Sequence, residues 1–177
     1  MTIGIDISQL AFAHTGVANL LKQLVNSMID EGQEHDFVLF YSSMRIPFNS
    51  NWIQPRKNVR FKLYKFPPTF LDVLWNRLHI IPIEHFIGEV DVFISSDWTE
   101  PPANKARKLS ILYDLVVLKY PEESTKKIIE TQKRKLKHLI KETQTILCIS
   151  VSTARDAEQL LKIDEKRLKV VYPALTL

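Results

Sequence analysis

The feature that most constrains this chain is a repeated change in the spacing of its apolar residues. Ile3 to Ile7 is a short β-branched run bounded by polar residues, the pattern of a buried strand. From Gly16 onward, Val17, Leu20, Leu21, Leu24, Val25, Met28 and Ile29 recur at three and four, which predicts an amphipathic helix that Gly32 can stop. Asp36 to Tyr41 returns to a continuous apolar run. Val59 to Phe66 alternates apolar with basic residues and ends at Pro67-Pro68, which suits a strand at a sheet edge. Thr69 to His79 is helical by period, with Phe70, Val73, Leu74 and Leu78 on one face, and Ile83 to Ile87 is a short helical turn. Strands follow at Asp91–Ser95, Lys108–Tyr113, Thr145–Ile149 and Leu168–Tyr172, with helices at Glu122–Glu142 and Thr153–Lys162. Strands that are apolar throughout, alternating with helices, belong to a sheet covered on both faces. The expectation is a single α/β domain over residues 1–177, with a doubly wound, mostly parallel, Rossmann-like sheet of about six or seven strands.

Composition narrows the function of such a sheet. The 177 residues include four glycines, Gly4, Gly16, Gly32 and Gly88, and no two are spaced for a dinucleotide fingerprint or a P-loop. A formal net charge of +4 is too small to indicate nucleic acid as a partner. The single cysteine, Cys148, excludes an internal disulfide and falls mid-strand, where it reads as core. The histidines have no metal-ligand spacing, so no metal and no cofactor are expected. No apolar run reaches the ~18–20 residues of a spanning helix, and the first residues have no signal-peptide pattern, so a cytoplasmic protein is expected.

In an open parallel sheet, ligands bind beyond the carboxyl ends of the strands. His14, Thr15 and Gly16 lie in the first such loop, where a helix begins; Gly16 either opens the backbone to an anion or eases the turn into the helix. Asp97 and Trp98 follow the fourth strand, and the Trp either stacks on a sugar or covers core. Tyr113 and Asp114 end the fifth. Asp114 there binds a hydroxyl, orients a base or caps the loop. Ser152 reads as the N-cap of the next helix, with Asp156 in its first turn. The segment Lys126–Glu142 carries seven Lys or Arg against two Glu. Its basic face is either simply solvated or drawn to anionic lipid at a membrane's inner face through Lys126–Lys141.

These loops resemble the N-terminal half of GT-B-fold glycosyltransferases of the group 1, or family 4, type. The similar stretches are Thr15-Gly16-Val17-Ala18-Asn19-Leu20, Asp91-Val92-Phe93-Ile94, Pro101-Pro102, Ile111-Leu112-Tyr113-Asp114-Leu115, Tyr120-Pro121-Glu122, Ile149-Ser150-Val151-Ser152 and Lys169-Val170-Val171-Tyr172-Pro173, in the family's order along nearly the whole chain. The family pattern has Gly, Arg and His where this chain has Ala18, Asn19 and Tyr113. The resemblance implies the acceptor-binding half of a metal-independent, retaining glycosyltransferase, with a sugar, lipid or other hydroxyl acceptor. The nucleotide-sugar donor would sit mainly on a further domain beyond Leu177. It places Gly16 near the donor phosphates and assigns catalytic positions to Tyr113 and Asp114, with His14, Thr15, Asp97, Trp98 and Ser152 binding substrate. Two other roles fit the same pattern: a half-enzyme completed by a separate donor-binding chain, and a non-catalytic binding module.

Overall fold

The computed structural model describes residues 1–172; Pro173 of the last resembling stretch lies outside them. Seven strands form one parallel sheet in the order β3-β2-β1-β4-β5-β6-β7. They are β1 (Thr2–Asp6), β2 (Asp36–Ser42), β3 (Val59–Tyr64), β4 (Val92–Ser95), β5 (Arg107–Leu112), β6 (Thr145–Cys148) and β7 (Leu168–Val170). The doubly wound α/β architecture read from the sequence is therefore the observed one, with β3 at an edge. Cys148 is buried in the core.

Because side chains alternate across a strand, each face of the sheet takes every second residue. Phe37, Leu39 and Tyr41 of β2 pack with α1 (Gly16–Glu31). Val38 and Phe40 pack with α2 (Pro68–Leu71) and α3 (Glu84–Ile87) on the other face. Helix α1 forms because Ala18, Leu21, Val25 and Ile29 fall on one stripe, all completely buried. Each of the three larger side chains contributes about 1.5–3 kcal/mol by leaving water. Thr15 caps the helix by accepting from Ala18 N at 3.2 Å. The helices α5 (Lys126–Glu142) and α6 (Val151–Leu161) enclose a third cluster with Leu112, Ile146 and Cys148. Among the described residues no helix is long and apolar enough to cross a membrane.

The structure corrects the sequence reading in several places. Helix α2 does not continue as an α-helix but widens into a π-helical segment, Asp72–Arg77, with Leu78 N bonded to Val73 O at 3.0 Å. The wider turn rotates the buried face. Leu71, Leu74 and Trp75 point inward, whereas Phe70, Val73 and Leu78 are 44, 41 and 59% exposed. Ser152 is not the cap of α6. Ser150 holds extended angles and accepts from Thr153 N at 3.0 Å, so the helix already includes Val151, and Ser152 sits exposed in its first turn. Asp156 pairs with Lys119 at 3.0 Å rather than serving that first turn. A short helix, α4 (Val116–Lys119), occupies the loop after β5, and α5 begins at Lys126 rather than Glu122.

Gly4 sits where the sheet meets α3. A Cβ there would lie 2.6 Å from Ile87 Cδ1 and 3.0 Å from the Phe93 ring, whereas one at Gly16 would meet nothing within 4 Å. Gly4→Val should therefore cost about 1–3 kcal/mol by overpacking, and Gly16→Ala should not lower stability. Urea denaturation midpoints of the two variants check this.

Candidate functional site

The strand order reverses between β1 and β4, and the crevice outside their carboxyl ends is where a doubly wound sheet takes a ligand. Two cavities open at this edge. The larger, about 450 Å³, has a polar floor of Asp6, Ser8, Gln9 and Asp97 and an apolar mouth that includes Phe12 and Met44. The smaller, about 270 Å³, is lined by Tyr113, Asp114, Gln132 and Lys135. Asp97 and Trp98 line both cavities and form the wall between them.

Asp6 is the last residue of β1. Its carboxylate accepts from Ser8 N at 2.9 Å, and Ser8 Oγ in turn accepts from Ser42 N at 3.0 Å, tying the ends of β1 and β2 together. Burial pushes the Asp6 carboxyl above its ordinary value, against the opposing pull of Ser8 and Lys135. Asp97 is raised too, by burial first, with Lys135 opposing and Asp114 adding. Gln9 donates to Asp97 at 3.4 Å. Lys135 projects from α5 into this acidic ring. Burial lowers its pKa, while Glu100, Asp97 and Asp6 counter the lowering. The Tyr113 hydroxyl lies 3.2 Å from Ser96 Oγ, and burial raises its pKa. Carboxyl groups at the end of a cavity can accept from the hydroxyls of a ligand, which suits hydroxyl recognition and general acid–base work.

The loop carrying Asp97 and Trp98 is fixed from below. Asn76 donates to Trp98 O at 2.8 Å and accepts from Glu100 N at 3.0 Å. The fully buried Glu100 carboxylate accepts from Ser95 at 2.6 Å and Ser110 at 3.1 Å, and pairs with Lys108 at 3.1 Å.

Of the residues singled out in the sequence, Asp97, Trp98, Tyr113 and Asp114 come together here. Asp114 is exposed, and one of its oxygens accepts from Val116 N at 3.0 Å, so it holds the start of α4 as well as facing the cavity. His14, Thr15 and Gly16 lie exposed at the start of α1, apart from both linings, with open space above Gly16. Ser152 joins neither cavity. Sequence reasoning missed Asp6, Glu100 and Lys135. Asp6 was visible as a charge closing an apolar strand. Lys135 was hidden in a basic run and counted with the solvated face, yet it and the partly buried Arg134 turn inward. The exposed lysines of α5 are Lys126, Lys127, Lys133, Lys137 and Lys141.

No protein-family model matches the chain, and a search of curated proteins finds no similar sequence.

The raised Asp97 carboxyl has a consequence for stability. Between the unfolded value of about 3.8 and its higher folded value, the native state binds more protons than the unfolded state. Stability is therefore lost as pH rises through that window. Asp97→Asn abolishes this loss, so the stability of the variant relative to wild type should grow as pH rises from about 4 and level off above the folded value. Urea titrations across that range check it; a constant or shrinking difference contradicts the assignment.

Proposed function

We propose that this chain is the acceptor-side domain of a GT-B-type glycosyltransferase, which holds a hydroxyl-bearing sugar or lipid-linked acceptor while a donor-binding domain supplies the nucleotide-sugar. The observation that carries the reading is the cavity pair at the β1–β4 reversal, divided by Asp97 and Trp98. A half-buried indole beside carboxyl groups is the chemistry that recognises a pyranose: the ring faces take the aromatic surface and the hydroxyls take the carboxylates. In this reading Asp97 and Asp6 orient the acceptor hydroxyl, and Tyr113 and Asp114 face the reacting sugar from the smaller cavity. The open space over Gly16 leaves the start of α1 available to the departing diphosphate, where the N-terminal end of the helix favours negative charge. The resemblance of the loops to the glycosyltransferase pattern supports the same assignment.

The reading is tested by calorimetry on the chain with methyl hexopyranosides as acceptor probes and UDP-glucose and GDP-mannose as donor probes. The acceptor probes should bind, and Trp98→Ala and Asp97→Asn should each weaken them at least tenfold, about 1.4 kcal/mol. The nucleotide-sugars should bind much more weakly. Donor binding at about 1 μM would overturn the division of labour, and acceptor affinities unchanged by both substitutions would overturn the site.

A further inference from the structure

A second polar cluster lies at the opposite edge of the sheet. His79 follows the π-helical segment, and His138 and Glu142 stand one turn apart on α5. One ring nitrogen of each histidine and a Glu142 oxygen lie within 4.8 Å of one another, all partly buried. What distinguishes this cluster is how each member is held. His79 Nδ1 lies 2.8 Å from Trp75 O, and His138 Nε2 lies 3.1 Å from Asn76 O. A backbone carbonyl can only accept, so each ring must donate there. These two carbonyls belong to the last turn of the π segment, which has no intrahelical donors for them.

The donation leaves His138 Nδ1 free to ligate, while His79 Nε2 itself donates to the acceptor-only Glu142 carboxylate, through a proton that a bound metal ion would displace. His79 Nε2 faces Glu142 Oε1 at 2.8 Å. The other carboxylate oxygen, Oε2, is held by Lys108 at 3.1 Å. Each potential ligand thus has an outer hydrogen-bond partner, as metal-binding histidines and carboxylates do. His79 and Ile81 both hold left-handed angles, with φ of 53° and 58°, which is costly for a β-branched residue. Trp75 Nε1 donates to Ile81 O at 3.0 Å and pins that bend.

We propose that His79, His138 and Glu142 form a binding site for a borderline divalent transition metal of the Zn²⁺ type, through two imidazoles and one carboxylate oxygen, with a fourth position open to solvent. This donor set suits such ions and not Mg²⁺ or Ca²⁺, which prefer all-oxygen ligands. Ligand atoms on tetrahedral Zn²⁺ stand about 3.3 Å apart, so both rings must turn about their side-chain bonds to close the site. The two rings are stacked at 3.6 Å with their planes 3° apart; metal entry tilts them until both lone pairs converge. The ion would bolt the π segment to α5. It lies away from the cavities, so this site stands whether or not the glycosyltransferase reading holds.

Calorimetric titration of the full chain with Zn²⁺ tests the proposal. One equivalent should bind, and His138→Ala and Glu142→Gln should each weaken affinity tenfold or more, while His85→Ala, at an exposed histidine outside the cluster, should not. A second measurement needs no variant: Co²⁺ added to the wild-type chain should shift the imidazole C–H resonances of His79 and His138. Absence of stoichiometric Zn²⁺ binding, equal affinity in all three variants, or Co²⁺ shifts confined to His14 or His85 would each overturn it.

Discussion

The Glu100 carboxylate is the buried charge on which the rest of the arrangement depends. It is wholly out of solvent and takes hydrogen bonds or an ion pair from Ser95, Ser110, Lys108 and Thr143. These partners come from β4, from β5 and from the junction of α5 with β6. Through its backbone N–H, Glu100 also bonds Asn76 of the π segment. A buried pair of this kind adds little net stability over an apolar core, yet removing one partner costs about 3–5 kcal/mol because the other is left uncompensated. Its effect is therefore positional. The loop from Ser96 to Thr99 is held at both ends, and Asp97 and Trp98 are presented to the cavities rather than left to wander.

Helix α5 extends this polar interior along the sheet. Thr131, Lys135, His138 and Glu142 recur on its inner side, next to the apolar Leu136 and Leu139. A parallel-sheet helix normally turns a wholly apolar stripe to the strands. Here the stripe is half polar, and Lys108 of the sheet meets it by donating to Glu142 at 3.1 Å. One helix thus serves both edges: Lys135 joins the acidic ring at the carboxyl edge, and Glu142 joins the two histidines at the other. Lys108, between Glu100 and Glu142, is common to the loop anchor and the histidine cluster.

The sheet was legible because its evidence is local. Apolar runs such as Asp36–Tyr41 read as buried strands, and the stripe from Val17 to Ile29 reads as an amphipathic helix. What failed was whatever depended on distant contacts. A π turn in Asp72–Arg77 leaves no trace in composition, so the buried face of that segment was misread. Ser150 and Ser152 are equally good caps by residue type, and backbone angles alone decide between them. Asp97, Trp98, Tyr113 and Asp114 were reachable because strand ends are where ligands gather. Lys135 and the pairing of His79 with His138 were not: the two histidines are fifty-nine positions apart, and only the fold stacks them.

The central claim is that ligands enter at the β1–β4 reversal, with Asp97 and Trp98 as the dividing wall. Mapping the backbone and indole resonances of the wild-type chain during titration with a methyl hexopyranoside tests it most directly. The account predicts shifts at the Trp98 indole and at the amides of Asp6 to Gln9, Ser95 to Thr99 and Tyr113 to Asp114. Shifts gathered instead on α6 or at the His79 edge of the sheet would contradict it.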